Sequence, residues 1–136
     1  MKYDLERIGL IIRDINDYFG RLDRIKVKSV SEMDDIKFDA ASMMIFSIIN
    51  KTIDLAKEIV VTNNFGMPKS YREIFEILRV RKVINKKQEG ELAKLIILRN
   101  KISHRYEGIG VEDIFKIKNG LKIVKDFVKI IRSEMK

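Results

Sequence analysis

A chain of 136 residues, 46% of them hydrophobic and 35% charged, is apolar enough to fold around one core and too charged for an integral membrane protein. The absence of cysteine excludes disulfides, a thiolate nucleophile and cysteine-ligated zinc, and with a single histidine we expect neither a metal site nor a cofactor. The net charge of +8 suits polyanionic partners such as RNA, although the same excess of lysine and arginine also serves ordinary solubility.

Apolar residues recur at steps of three and four along most of the chain, which is the period of amphipathic helices. The first helix is predicted over about residues 3–25, with an apolar stripe that begins at Leu5. A longer and more apolar second helix is predicted over about residues 34–63. Residues 63–66 and Pro68 then indicate a boundary, because asparagine and glycine tolerate left-handed dihedrals and proline blocks continuation of a helix.

Capping signals locate the helices of the second half. Ser70 and Asn85 each stand three residues before a Glu or Gln, a pattern that opens a helix, and we place Tyr71 on the inward face of the third one. The helices predicted after Pro68 cover about residues 70–80, 85–103 and 112–134. The expected fold is all-α: a single domain over residues 1–136, built as an up-and-down bundle of about four long helices and a short one.

The longest apolar stretch, residues 43–49, is far shorter than the roughly 20 residues of a membrane helix. The first residues alternate charged and apolar side chains and lack the continuous apolar core of a secretory signal. We therefore expect a cytoplasmic protein that spans no membrane.

The segment from Arg99 to Tyr106 concentrates three cations, the only histidine and a tyrosine at the end of the predicted fourth helix. Cleavage of RNA without a metal needs a base for the 2′-hydroxyl, an acid for the leaving 5′-oxygen and cations for the charged phosphorane, and histidine and arginine suit these tasks. Basic residues at a helix C-terminus also complement the helix dipole by a few tenths to about 1 kcal/mol each. The residues alone leave both interpretations open.

Spacing complicates a site within one chain. Arg99 and His104 are five positions apart, about 140° around an ideal helix, whereas Asn100 aligns with His104 and Arg99 aligns with Tyr106. Two arrangements would bring the polar groups together: the helix frays near His104, or two copies of the segment face each other across a two-fold axis, and the dimer solves more of the difficulty. The second would provide one histidine as base and another as acid.

The pattern of Arg99, Asn100, three further residues, His104, Arg105 and Tyr106 resembles the signature of the HEPN superfamily, specifically of the HepT-type toxins. The resemblance extends to residues 53–56, 68–71 and 98–100 and to the helix after the signature. It implies a HEPN-like helical homodimer that acts as a metal-independent endoribonuclease on messenger or transfer RNA. Arg99 and His104 would be catalytic, and Asn100 would support their placement.

The resemblance also implies a protein partner. This is a minimal nucleotidyltransferase antitoxin, which silences the toxin of a type VII-like toxin–antitoxin pair by attaching AMP to the tyrosine that corresponds to Tyr106. Adenylate groups would add bulk and negative charge where an RNA phosphate binds, and they would pair with nearby arginines.

Residues around the signature have two interpretations each. Lys101 and Arg105 are candidates for RNA binding through phosphate contacts, or they are simply solvated charges near a helix end. Asp54 lies one helical turn after Asn50. At the position of Asn50, many relatives carry Glu. The side chains of Asn50 and Asp54 either support Arg99 or form a solvated polar stripe. We keep Asp54 as a supporting candidate and leave Asn50 out of the site.

The main rival function is a non-catalytic HEPN-type binding module that docks a nucleotidyltransferase and keeps the signature for binding ATP or that partner. A DNA-binding domain has less support, because no helix-turn-helix with a basic recognition helix is evident. The serines of the chain lack the Gly-x-Ser-x-Gly elbow of a hydrolase nucleophile.

Overall fold

The computed structural model describes residues 1–25, 29–104 and 109–135, which form α-helices joined by short connections and no strand. The helices are α1 (Leu5–Arg24), α2 (Asp35–Thr62), α3 (Tyr71–Val80), α4 (Lys86–Ser103), α5 (Val111–Gly120) and α6 (Lys122–Glu134), with a 3-10 turn at Val30–Glu32. The all-α class is confirmed, and α1 to α4 agree with the predicted ranges to within two residues at either end. None of the described helices has both the length and the apolar character needed to cross a membrane.

Side-chain caps explain where the first four helices begin. Asp4, Asp34, Ser70 and Asn85 each accept a hydrogen bond from the backbone N–H three residues later, at 3.1, 2.8, 3.1 and 2.8 Å. Each cap satisfies one of the N–H groups that the first turn of a helix leaves without a partner. Short polar signals in the sequence therefore set the helix lengths.

The α2 helix is central, since it packs against α1, α3, α4 and α5. Its apolar face is completely buried at Ile45 and Ile48. The α3 and α6 helices meet through Phe75 and Phe127, whose ring centroids lie 6.2 Å apart in an edge-to-face contact. Because α4 packs on both α2 and α3, its C-terminal half faces side chains from two neighbouring helices.

The single helix predicted over residues 112–134 is two helices, so that prediction was wrong. The α5 helix ends at Gly120, and α6 begins at Lys122. Glycine is a poor helix former, and the following Leu121 is buried at the break, where its carbonyl accepts a 3.0 Å bond from the N–H of Val124. A hydrogen bond over three residues is the tighter pattern of a 3-10 turn.

Two residues expected in the core are exposed instead. Leu5 is the first residue of α1 and Tyr71 is the first residue of α3, with 63% and 43% of their surface exposed. The apolar periodicity continues to these helix ends, but the neighbouring helices do not cover them. The ring of Tyr71 instead contacts the guanidinium of Arg99.

Candidate active site

Arg99, near the C-terminal end of α4, lies at the centre of a cluster built from three helices. Its Nε donates a 2.7 Å hydrogen bond to Oδ1 of Asn50 on α2, and its Nη1 donates a 3.0 Å bond to Oδ1 of Asn100. The guanidinium carbon also lies 5.2 Å from the ring centroid of Phe46 and 5.0 Å from that of Tyr71. Hydrogen bonds and cation–π contacts together hold the guanidinium in one orientation.

Among the described residues, no partner of Arg99 is a carboxylate. Asn50 and Asn100 are neutral amides, and Arg99 forms no ion pair with any acidic group of the described residues. Two of its five N–H groups bond to described residues, which leaves Nη2 available for an anion. An arginine that is positioned but not neutralised is suited to hold a phosphate through charge-assisted hydrogen bonds.

His104 is the C-cap of α4, where the helix ends. Its backbone N–H donates to the carbonyl of Asn100 at 3.1 Å, but its own φ of −106° and ψ of 66° depart from helical values. The last helical residue, Ser103, lies one turn after Arg99. The α4 helix thus ends at Ser103 with His104 as its C-cap, and the pairing of two signatures across a dimer stays a prediction. His104 is exposed.

The α2 residue that forms a hydrogen bond with Arg99 is Asn50. The structure brings Asn100 to Arg99 as well, whereas Asp54 is exposed and forms no hydrogen bond or ion pair with a described residue. Four-residue spacing could not distinguish Asn50 from Asp54, because both lie on one helix face. A signal was nevertheless present, since Asn50 is a polar residue in the most apolar stretch of the chain and Phe46 precedes it by one turn.

The remaining predicted site residues follow Arg99 in the sequence. Lys101 is exposed in the last turn of α4 and has no ion pair within the described residues. Arg105 and Tyr106 lie outside the described residues. Among the residues that the structure describes, no group of three His, Asp or Glu side chains could hold a metal ion. The described cluster places an oriented guanidinium, that of Arg99, five positions before the only histidine of the sequence.

Two clefts adjoin the cluster. The first, of about 450 Å³, reaches it through Phe46 and is bordered by the last turn of α4. The second, of about 590 Å³, spans α2, α3 and α4 and has Tyr71 and Asn100 among its lining residues; we call it the Tyr71 groove. Both volumes fall within the range of small-ligand sites, and each cleft is lined by a residue that contacts Arg99.

Three solved structures resemble nearly the whole chain. A tri-AMPylated HEPN toxin from Shewanella oneidensis in complex with MNT antitoxin has a TM-score of 0.87 at 22% identity, over 97% of this chain and 99% of that one. A toxin–antitoxin complex with AMP-PNP has a TM-score of 0.85 at 21% identity, over 93% and 97% of the two chains. YutE from Bacillus subtilis, a cytosolic protein of unknown function, has a TM-score of 0.82 at 24% identity, over 97% and 90%. These likenesses establish the fold.

Comparison with curated protein sequences gave no match. The family described as "Ribonuclease HepT-like" matches residues 8–131, a range that runs from α1 into the last turn of α6. It includes Arg99, His104 and every helix that contributes to the cluster around Arg99. The chain therefore belongs to the HepT-like ribonuclease family, as its signature predicted.

Proposed function

We propose that this protein is a metal-independent endoribonuclease toxin that acts on messenger or transfer RNA as a homodimer, with Arg99 and His104 as catalytic residues. The observation that carries the proposal is the guanidinium of Arg99, which is oriented by two amides and two aromatic rings and has no described acidic partner. In transesterification the phosphorane gains negative charge, and a pre-oriented cation stabilises that charge without reorganising.

His104 supplies proton transfer in this proposal. One imidazole removes the proton of the 2′-hydroxyl while its oxygen attacks the phosphorus. The bond from phosphorus to the 5′-oxygen breaks, and a second imidazole gives a proton to the departing oxygen. The products are a 2′,3′-cyclic phosphate and a 5′-hydroxyl. Because the chain has one histidine, a homodimer that joins two copies of the signature provides both imidazoles.

The second part of the proposal is regulation at Tyr106 by a minimal nucleotidyltransferase antitoxin. Support comes from the similar Shewanella oneidensis toxin, which is tri-AMPylated and in complex with its MNT antitoxin. Tyr106 follows His104 by two residues, so an adenylate there would introduce negative charge close to the signature. That phosphate would compete with RNA for Arg99 and neutralise it.

The test is to incubate total RNA with the unmodified protein in EDTA and to analyse the ends of the fragments. The His104→Ala variant is compared in parallel, and Lys116→Ala serves as a matched control because Lys116 is exposed on α5, away from the cluster. We expect 2′,3′-cyclic phosphate ends from the parent and the control and no cleavage by His104→Ala. Intact mass must show Tyr106 free of AMP, and light scattering must show a dimer.

The opposite result has a defined meaning. If an unmodified dimer cleaves no RNA in EDTA, the catalytic proposal fails, and a non-catalytic module that docks a nucleotidyltransferase becomes the better description. Retention of cleavage by His104→Ala would instead remove His104 from the mechanism.

A further inference from the structure

The Tyr71 groove has a lining whose charged residues are all basic. Lys57 comes from α2, Lys69 from the connection before α3, and Arg72 from the first turn of α3. All three are exposed, and none forms an ion pair with a described acidic group. Elsewhere on the described surface some cations, such as Arg7 and Arg79, pair with carboxylates, and others, such as Lys101, do not. The groove thus gathers unpaired positive charge in a concave surface, where it attracts a polyanion.

The groove is continuous with the cluster around Arg99. Tyr71 lines it while its ring lies over the guanidinium of Arg99, and Asn100 lines it while accepting a hydrogen bond from the same group. Tyr71 keeps 43% of its surface exposed, so part of the ring remains open to a ligand. A chain molecule with one phosphate at Arg99 therefore has a direct route into the groove.

Cations beside an exposed aromatic ring are the combination that binds single-stranded nucleic acid, in which the cations follow the phosphates and a base stacks on the ring. We infer that the Tyr71 groove is a binding subsite for the RNA nucleotides that flank the phosphate held by Arg99. Lys57, Lys69 and Arg72 contact the flanking phosphates, and Tyr71 stacks with a flanking base. This inference rests on the proposed ribonuclease function, since it concerns the same substrate.

The test measures binding in the His104→Ala background, so that a fluorescein-labelled single-stranded RNA of mixed sequence is not cleaved. The groove variant carries Lys57→Gln, Lys69→Gln and Arg72→Gln. The matched control carries Lys116→Gln, Lys129→Gln and Arg132→Gln, which remove the same charge from exposed positions on α5 and α6. Anisotropy titrations over roughly 50 to 200 mM salt give affinity and its salt dependence for each protein.

Each phosphate contact to a single strand contributes about −0.7 to the slope of log affinity against log salt. Loss of three contacts should make the slope less negative by about 2 and weaken binding by about 10- to 100-fold at roughly 0.1 M salt. The control should change the slope by much less. Protection of the Lys57 and Lys69 amines from acetylation when RNA is bound, without protection of Lys116 and Lys129, would support the same conclusion without any substitution.

Several results would overturn the inference. If the groove variant binds RNA as tightly as the His104→Ala protein with an intact groove, while the parent with His104 cleaves RNA, the subsite is wrong and the ribonuclease proposal survives. If the groove variant and the matched control lose the same affinity for RNA, binding depends on net charge alone and the groove is not a specific subsite. If the groove variant has a different oligomeric state from the control, the groove is a contact between copies of the chain. If the parent neither binds nor cleaves RNA, the ribonuclease proposal itself fails.

Discussion

At the scale of single residues, the chemistry of this protein depends on how Arg99 is held. Arginine is usually ordered by pairing with a carboxylate, which also cancels its charge. Here Asn50 and Asn100 provide the acceptors, and Phe46 and Tyr71 provide flat surfaces. These neutral groups orient the guanidinium without cancelling its positive charge. An oriented and uncancelled positive charge is what stabilises a phosphorane.

Replacement of Arg99 by alanine should lower the rate of RNA cleavage by about 10²- to 10³-fold, the usual effect of removing one anion-stabilising donor. Arg99→Lys keeps the charge but loses the fork of N–H groups, so we expect it to fall between the parent and Arg99→Ala. The measurement is kcat in EDTA, with circular dichroism to show that helicity is unchanged. Full activity of Arg99→Ala would rule out a catalytic role for this residue.

Asn50→Ala removes the acceptor that orients Nε of Arg99, and we expect kcat/KM to fall by about 10- to 100-fold, because small displacements of a catalytic group are costly. Asn50→Asp keeps an acceptor but places a carboxylate beside the guanidinium, so its activity should be intermediate. Asp54→Asn tests the other candidate on the same face of α2. An equal loss in Asp54→Asn and Asn50→Ala would mean that the contact seen at Asn50 does not determine activity.

The sequence was sufficient to single out Arg99, Asn100 and His104 as neighbours in one signature. It was not sufficient to choose Asn50 over Asp54, or to predict that Phe46 and Tyr71 contact Arg99. These partners come from other helices, and residue spacing within one helix contains no information on how two helices are rotated against each other. Tyr71 in particular follows the apolar period of α3 yet lies beyond its core-facing residues.

At the scale of helices, local signals predicted the fold well. Caps and apolar periodicity are properties of short segments, and they were enough to place α1 to α4. The break at Gly120 and Leu121 was missed because the apolar period continues through it. A single glycine inside a periodic stretch is compatible with an unbroken helix, so the sequence alone did not locate the break between Gly120 and Lys122.

The capping box of α4 offers a direct test of these local signals. Asn85 accepts a 2.8 Å bond from the N–H of Gln88, and the Gln88 side chain accepts a 2.9 Å bond from the N–H of Asn85. Asn85→Ala should lower the free energy of unfolding by about 1 kcal/mol, as measured by urea denaturation. Lys87→Ala, an exposed change in the same turn, should stay within roughly 0.5 kcal/mol of the parent. Equal effects of the two substitutions would show that the cap is not a major determinant of α4.

At the scale of the whole molecule, a +8 chain with one histidine raises the question of how many copies form a site. The excess positive charge favours RNA binding by a single copy of the chain as well as by a dimer. It therefore does not decide how many copies form one site. Under the proposed mechanism the number of histidines does, because general acid and general base catalysis in one step need two proton-transfer groups. The proposed mechanism therefore predicts that the two copies in a dimer are not independent.

Mixing parent chains with His104→Ala chains tests this dependence. If both imidazoles are required, only dimers of two parent chains are active, and their share is the square of the parent fraction. An equal mixture, equilibrated so that subunits exchange, should then show about one quarter of the parent activity at constant total protein, rather than about one half. Mixing the parent with Lys129→Gln, an exposed change on α6, should leave the activity unchanged. A linear decline with the fraction of His104→Ala would mean that each copy cleaves RNA with its own His104, and another group would then have to protonate the leaving oxygen.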